Sequence, residues 1–264
     1  MRLAGAIAVV TGGGSGLGAA LMRLLAREGA RPVVVDLRAE RVHELAREGG
    51  PAVSGFTCDV ADRSRVGEVF AEIGTRLGRV DLLVNCAGRS MLVPFLAMSE
   101  RDLEWVLGPN FFGVVNTIRA AVPWMPRGSR IVNVTSVSAR IPTPGEALYS
   151  AAKAAVASLS EALDAELEGR GIRVTVALPG EMSTGLFAEH PSWERRPDFQ
   201  RRMEVPPERV ARAILRAVRR DRFEVVAPLT MRLPLLLQRM APRFFRRGVT
   251  RFYRRVCEPR IAPQ

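Results

Sequence analysis

The chain's only lysine, Lys153, lies four residues after Tyr149, which is one of only two tyrosines. Every other member of the 39 cationic side chains is arginine. A lysine in such a chain indicates a position that arginine cannot fill, because an ammonium is compact and can exchange its proton. Residues four apart face the same way on a helix, and a nearby cation lowers the pKa of a phenol. The pair therefore predicts acid/base chemistry by Tyr149. A chance pair on a solvated helix is the alternative.

A glycine-rich turn at residues 11–18 reads Thr-Gly-Gly-Gly-Ser-Gly-Leu-Gly between a predicted strand and a predicted helix. Such a turn lets a pyrophosphate approach the backbone, and the free amides at the helix start bind the anion. Asp36 ends the next predicted strand, where a carboxylate hydrogen-bonds the adenosine ribose and repels a 2′-phosphate. The pattern predicts a dinucleotide site that prefers NAD. The nearby Arg38 leaves NADP open, and a solvated strand-end carboxylate is the alternative for Asp36.

Short apolar runs alternate with helical patterns along most of the chain. Strands are predicted at residues 7–11, 31–36, 52–58, 80–85, 130–136, 172–178 and 223–227, and helices at 16–28, 39–48, 63–77, 100–124, 148–168 and 207–220. Strands that are apolar on both faces and separated by helices indicate a parallel sheet covered on both sides. We therefore predict a doubly wound, Rossmann-type α/β domain over residues 1–228, followed by an extension over residues 229–264.

Length and composition indicate one large globular domain, since 47% of the 264 residues are hydrophobic. No apolar run is long enough to cross a membrane, and the apolar N-terminus is interpreted as the first strand rather than a signal peptide. Three scattered cysteines are too few for a disulfide framework, which fits a reducing cytoplasm. No spaced cluster of His, Cys and carboxylates predicts a metal site.

In their order and spacing, the motifs over residues 3–228 resemble those of the short-chain dehydrogenase/reductase family. Besides the glycine turn they include Asp59-Val60, the Asn85-Cys86-Ala87-Gly88 segment, Ser136 at 13 residues before Tyr149, and Pro179-Gly180 followed by Thr184. The resemblance implies a nicotinamide cofactor, with NAD preferred. The cofactor-binding residues that it implies are Gly12, Ser15, Gly16, Leu17, Gly18, Asp36, Leu37, Asp59, Val60, Asn85, Ala87, Gly88, Tyr149, Lys153, Pro179, Gly180, Met182 and Thr184.

The resemblance also implies catalytic roles. Tyr149 would be the general acid/base, and Ser136 would hydrogen-bond the same substrate oxygen. Lys153 would bind the nicotinamide ribose and lower the pKa of Tyr149. A strand-terminal cap is the alternative for Ser136.

Asn110 would anchor a water that joins Lys153 to solvent, again by resemblance. It follows Pro109 inside a predicted helix, and a proline there removes a backbone hydrogen bond and kinks the helix. The kink either aims the asparagine or displaces it, and Asn116 is a nearby rival.

Three segments, residues 89–98, 139–148 and 181–205, are expected to line the substrate site. They contain few charges near the catalytic end, which predicts a lipophilic secondary alcohol or ketone as substrate; ordinary packing of the apolar side chains is an equal alternative. A catalytically idle protein that binds a dinucleotide is the rival function, and a homo-oligomer is expected. The apolar residues of the three segments expected to line the substrate site are Met91, Leu92, Val93, Phe95, Leu96, Ile141, Met182, Leu186 and Phe187.

The formal charge of +12 is concentrated near the C-terminus, where eight arginines and no acid lie between Val225 and Cys257. An apolar stretch, residues 229–240, is expected to be broken by Pro234. An amphipathic helix is predicted over residues 242–257, with arginines at every fourth position. Such a helix favours peripheral binding to an anionic membrane surface. An arm packed on its own domain or on a partner subunit is the alternative, and nucleic acid binding is not predicted because no recognition module is present. The apolar face of the predicted amphipathic helix consists of Ala241, Phe245, Val249, Phe252 and Val256.

Overall fold

A computed structural model describes residues 1–50, 53–183, 190, 192 and 198–257, with the side chains of 199–201 and 256–257 excluded. Seven strands form one parallel sheet in the order β3-β2-β1-β4-β5-β6-β7. This confirms the predicted doubly wound fold. The strands are β1 (Ile7–Thr11), β2 (Arg31–Asp36), β3 (Ser54–Thr57), β4 (Leu82–Asn85), β5 (Arg130–Val134), β6 (Arg173–Pro179) and β7 (Glu224–Ala227).

The strand order reverses where β1 lies between β2 and β4, and such a switch point is where open α/β sheets bind ligands. Because all strands are parallel, their carboxyl ends meet at one edge of the sheet. Thr11, Asp36, Asn85 and Val134 end their strands there. The motifs that were far apart in the sequence are therefore brought to one edge.

Helices cover both faces of the sheet and bury two apolar clusters. On one face, Leu21 and Leu25 pack with Ile214; on the other, Phe70 and Ile73 pack with the sheet. Each fully buried side chain of this size contributes about 1.5–3 kcal/mol relative to exposure. The helices are α1 (Gly16–Arg27), α2 (Ala39–Glu48), α3 (Arg63–Leu77), α4 (Glu100–Leu107), α5 (Gly113–Ala121), α6 (Ala147–Glu168), α7 (Asp198–Met203), α8 (Pro207–Arg219), α9 (Arg232–Met240) and α10 (Pro242–Phe252).

The predicted helix over residues 100–124 is interrupted. A π-helical turn, Gly108–Phe112, separates α4 from α5 and contains Pro109. Proline has no N–H to donate, so the regular hydrogen-bond ladder cannot continue through it. The predicted kink is therefore present, and it leaves Asn110 fully buried.

The extension differs from the prediction in two respects. Pro234 does not break a helix, because it lies in the first turn of α9, where its missing N–H has no helical partner to lose. The predicted apolar face is also not the most exposed one, since Phe245 and Val249 are half-buried. The side chain of Val256 lies outside the described residues. The exposed large apolar side chains of the extension are Leu229, Leu233, Leu236, Leu237, Met240, Phe244 and Phe252.

No helix in the described part of the chain combines the length and the apolar composition needed to cross a membrane.

Candidate active site

A cavity of about 510 Å³ opens at the carboxyl edge of the sheet, and we call it the central cavity. Most of the predicted site residues line it. Thr184 lies outside the described residues, while Asn85 and Asn110 are not among those that line the cavity. The predicted residues along its walls are Gly12, Ser15, Gly16, Leu17, Gly18, Asp36, Leu37, Asp59, Val60, Ala87, Gly88, Ser136, Tyr149, Lys153, Pro179, Gly180 and Met182.

The glycine turn fits the predicted dinucleotide. Gly12 has φ +62°, and a Cβ there would lie 2.7 Å from the Cα of Ala87. A Cβ on Gly18 would lie 2.1 Å from the carbonyl oxygen of Gly12, so only glycine lets α1 begin this close to the turn. Ser15 precedes α1 without capping it through its side chain. The first amides of α1 therefore face the cavity wall without a side-chain cap, as an anion site at a helix start requires.

The Asp36 carboxylate is buried, and each of its oxygens accepts a hydrogen bond. Oδ2 accepts from the backbone N of Gly14 at 2.9 Å, and Oδ1 accepts from the backbone N and the Nε of Arg38 at 3.0 and 3.1 Å. The Arg38 guanidinium also donates to the Ser15 hydroxyl at 2.7 Å. The Arg38 guanidinium thus joins the Asp36 carboxylate to Ser15, where the adenosine ribose was predicted to bind.

Helix α6 brings Tyr149 and Lys153 to the wall of the same cavity, where both side chains are buried. The Lys153 ammonium lies 5.6 Å from the centroid of the tyrosine ring and donates to the carbonyl oxygen of Val134 at 3.1 Å. The Ser136 hydroxyl accepts from the backbone N of Ser138 at 3.1 Å and also hydrogen-bonds Tyr149. Ser136 therefore caps a short turn and reaches the phenol, so its two predicted interpretations are compatible.

Burial changes the pKa values of this pair in opposite directions. It lowers the pKa of Lys153 to about 8. It raises the pKa of Tyr149, the negative charge of Glu146 raises it further, and the hydrogen bond from Ser136 lowers it in part. The predicted lowering of the Tyr149 pKa is thus wrong for the chain alone, because the loss of solvation of the phenolate outweighs the other effects.

Asn110 lies beside Lys153, whereas its rival does not. The Asn110 amide donates to the carbonyl oxygens of Arg89 and Val106 at 2.6 and 2.8 Å. Its Oδ1 is buried and has no hydrogen-bond partner among the described residues. A Cβ on Gly88 would lie 2.6 Å from this oxygen and 3.4 Å from the lysine nitrogen. Only a glycine at position 88 therefore leaves room between Asn110 and Lys153.

Asn116 instead donates to the carbonyl oxygens of Val60 and Ala61 at 3.0 and 3.3 Å. Its side chain therefore fastens α5 to the segment after β3.

Asn85 differs from its predicted role in direct cofactor contact. Its amide donates to Asn133 at 2.8 Å, and its carbonyl oxygen accepts from Thr117 at 2.7 Å. Asn133 in turn donates to Ser160 at 2.8 Å. Because both the amide nitrogen and the carbonyl oxygen of the Asn85 side chain are hydrogen-bonded to protein, this residue joins β4 to β5 and α5.

Glu146 is a site residue that the sequence reasoning missed. It is 3% exposed, accepts a hydrogen bond from Ser90 at 3.0 Å, and lines the central cavity with Arg89 and Glu181. A signal was present in its position, because Glu146 lies only three residues before Tyr149 and directly precedes α6. A buried carboxylate so close to the phenol bears directly on its protonation.

The predicted apolar substrate wall is only partly present. Met91 is buried in the packing around Tyr149 and α4, and Leu92 is also buried, while Phe95 and Leu96 are exposed. Ile141 lines a different cavity, and Leu186 and Phe187 lie outside the described residues. The expectation of few charges near the catalytic end is wrong, because the loops after β4 and β6 and the start of α6 place three charged side chains along the cavity wall. These are Arg89, Glu146 and Glu181.

The chain is similar in sequence and fold to several known proteins. The family profile described as short chain dehydrogenase matches residues 6–195. A 3-oxoacyl-(acyl-carrier-protein) reductase FabG from Thermotoga maritima is 36% identical over 81% of this chain and 91% of its own length. A D-threitol dehydrogenase from Mycolicibacterium smegmatis is 38% identical over 73% of this chain and 75% of its own. A short chain dehydrogenase/reductase from Burkholderia phymatum, solved in complex with NAD, is 26% identical with a TM-score of 0.83, covering 92% of this chain and 96% of its own.

Proposed function

The chain belongs to the short-chain dehydrogenase family of oxidoreductases, and from that premise we propose that it interconverts a secondary alcohol and a ketone with a nicotinamide cofactor. One observation carries the proposal. The candidate acid/base Tyr149, with Ser136 and Lys153, lines the same cavity as the glycine turn and Asp36. Residues 1–228 would form the catalytic domain, and residues 229–264 an extension.

The bound nicotinamide would supply the hydride chemistry, and the protein would supply orientation and proton handling. Tyr149 donates its proton to the substrate oxygen in reduction and accepts one in oxidation. Ser136 donates a hydrogen bond to the same oxygen and holds it in line.

Lys153 binds the nicotinamide ribose, and its pKa of about 8 lets it exchange a proton near neutral pH. We propose that the proton path from Lys153 to solvent passes the buried Oδ1 of Asn110. A water between this oxygen and Lys153 would donate a hydrogen bond to the oxygen and continue the path toward solvent.

NAD is the proposed cofactor. A buried carboxylate at the end of β2 repels a 2′-phosphate, and the neighbour from Burkholderia phymatum was solved with NAD. NADP is the alternative, since Arg38 places a guanidinium next to Asp36.

For the substrate we propose a lipophilic secondary alcohol or ketone that also carries a polar group near the reacting carbon. Met182 supports the lipophilic part, and the charges of Arg89 and Glu146 support the polar group. The relatives named above act, by their names, on a 3-oxoacyl carrier and on threitol, so they do not choose one substrate for this chain.

A substrate screen tests the oxidoreductase against the rival, a catalytically idle binder. Secondary alcohols and ketones of graded polarity would be offered with NAD(H) and NADP(H), while NADH absorbance is followed. Tyr149→Phe is the matched control, because it removes only the hydroxyl. Turnover that is lost in Tyr149→Phe supports the proposal. Tight NADH binding by fluorescence, without turnover of any compound, supports the idle binder.

We also propose that the chain is a homo-oligomer and that its extension binds anionic membrane surfaces. Leu229, Leu233, Leu237 and Met240 recur at helical spacing and are largely exposed. Eight arginines and no acid accompany them between residues 225 and 257. Exposed apolar and cationic side chains on one segment suit the interface of an anionic bilayer.

A further inference from the structure

A second and larger cavity, of about 1120 Å³, lies between α8 and the extension, and we call it the C-terminal cleft. Residues of α8 and of the edge strand β7 line it, together with Val249 and Phe252 of α10. At the base of the extension, Met231 and Leu235 pack against a buried cluster that includes Val226 of β7. The volume exceeds the roughly 300–1,000 Å³ of common small-molecule pockets. The cleft therefore has room for a long apolar chain.

One face of α8 supplies positive charge to the cleft. Arg209, Arg212, Arg216 and Arg220 recur at intervals of three, four and four residues and all line it. This spacing places them on one helix face, while the other face of α8 is buried in the core. Within the described part of the chain, none of the four makes an ion pair.

The charges that line the cleft are six arginines and two glutamates. Of the glutamates, Glu224 lies 4.0 Å from Arg140, while Glu181 lies at the border with the central cavity. The cleft thus combines apolar walls with an excess of cations. Val137, Ser138 and Glu181 line both cavities, so the cleft adjoins the central cavity, but Ser136, Tyr149 and Lys153 do not line it.

We propose that the C-terminal cleft binds a single amphiphile that has an alkyl chain and an anionic head, either carboxylate or phosphate. The chain would lie against Val249, Phe252 and Val226. The head would bind the arginine row of α8, because guanidinium groups match both anions in geometry and charge. This site is independent of the proposed oxidoreductase function.

The other possible occupants fit less well. A second copy of the chain, related by a two-fold axis, would bring two arginine rows together, and like charges in contact repel. A bilayer surface suits the exposed apolar side chains of α9, whereas a concave cleft suits one molecule.

Calorimetric titration of the full-length protein with monomeric dodecanoate and dodecyl phosphate tests the site, with no cofactor present. We expect one molecule per chain and much weaker binding of dodecanol, which has the same alkyl chain without the charge. Arg212→Gln with Arg216→Gln should weaken dodecanoate binding about tenfold or more. The matched control, Arg246→Gln with Arg247→Gln, removes the same charge from α10 outside the lining and should leave affinity unchanged. Circular dichroism confirms that both variants are folded.

Three results would overturn the proposal. Equal affinity of the two double variants would show adsorption to general positive charge, and equal affinity for dodecanol would remove the role of the head group. Binding only to phosphatidylglycerol vesicles, without binding of monomeric dodecanoate or dodecyl phosphate, would assign the lipid contact to a surface instead of the cleft. Sedimentation of the wild type and of Val249→Asp adds a check, since an oligomer lost in this variant would make the cleft a subunit interface.

Discussion

Burial acts on the lysine and the phenol of the candidate site in opposite ways. A buried ammonium gives up its proton more readily, and a buried phenol keeps its own. In the chain alone, Tyr149 therefore holds its proton at neutral pH, as donation to the oxygen of the proposed ketone substrate requires. For the reverse reaction the phenolate must be stabilised, and positive charge near the ring, including that of an oxidised nicotinamide, acts in that direction.

Lys153→Arg should abolish most turnover although it conserves the charge. The lysine nitrogen lies in a compact, buried space between Tyr149, Val134 and Gly88, which a planar guanidinium cannot occupy in the same way. Loss of acid/base assistance costs about 10² to 10⁴ in rate. Steady-state kinetics of Lys153→Arg on a substrate from the screen give the answer, and a near wild-type kcat would show that the proposed role of the lysine is wrong.

Glu146→Gln should move the pH dependence of alcohol oxidation to lower pH. The carboxylate raises the pKa of Tyr149, so its neutral replacement lowers that pKa, and the deprotonated base is then present at a lower pH. The measurement is kcat/KM against pH. Glu166→Gln, an exposed change on the same helix, is the control and should leave the profile in place. A midpoint that stays put or rises in Glu146→Gln contradicts the electrostatic coupling.

At the scale of elements, the strands and most helices follow from periodicity, because a doubly wound sheet buries its strands on both faces. The β5 prediction extends two residues too far: β5 ends at Val134, Thr135 still donates to the carbonyl oxygen of Ala177, and Ser136 begins the turn that builds the site. The π turn around Pro109 was predicted only as a kink. Its effect on Asn110 depends on how α4, α5 and the loop after β4 pack, and such contacts are not encoded in local periodicity.

The junction of β2 and α2 gives a prediction about cofactor choice. Asp36→Ala should shift the ratio of kcat/KM values toward NADPH, because it removes repulsion of the 2′-phosphate and leaves Arg38 beside that position. The double variant Asp36→Ala with Arg38→Ala should lose most of the gain. Cofactor binding followed by fluorescence provides a second readout. Equal use of NADH and NADPH by the wild type would contradict the assignment to Asp36.

For the whole molecule, the charge distribution was readable from the sequence, but the orientation of the extension was not. The helical pattern of residues 242–257 chose Val249 and Phe252 as a membrane face. In the folded chain both residues line the C-terminal cleft, and the most exposed apolar side chains come largely from the preceding α9. Which face of an amphipathic helix meets its own domain depends on tertiary packing, since the helical period only separates one face from the other.

Leu233→Glu with Leu237→Glu should therefore reduce binding to anionic vesicles. Both side chains are exposed, at 62% and 49%, so the change removes apolar contact and adds charge without disturbing the core. The arginines near the bilayer add about 1 kcal/mol each, a contribution that falls off within a Debye length. Wild-type binding should accordingly weaken as salt rises. Vesicle co-sedimentation at several salt concentrations measures both effects, with Leu96→Glu, another exposed apolar position, as control.

Thermal unfolding of the same variants shows whether a membrane or a protein partner covers the exposed face of α9. Unchanged melting with lost sedimentation supports the membrane. If Leu233→Glu with Leu237→Glu instead lowers the melting temperature and dissociates an oligomer, the exposed face of α9 is a subunit contact. Arginines near a two-fold axis would then need acidic partners from elsewhere in the partner copy, because residues 225–257 contain none.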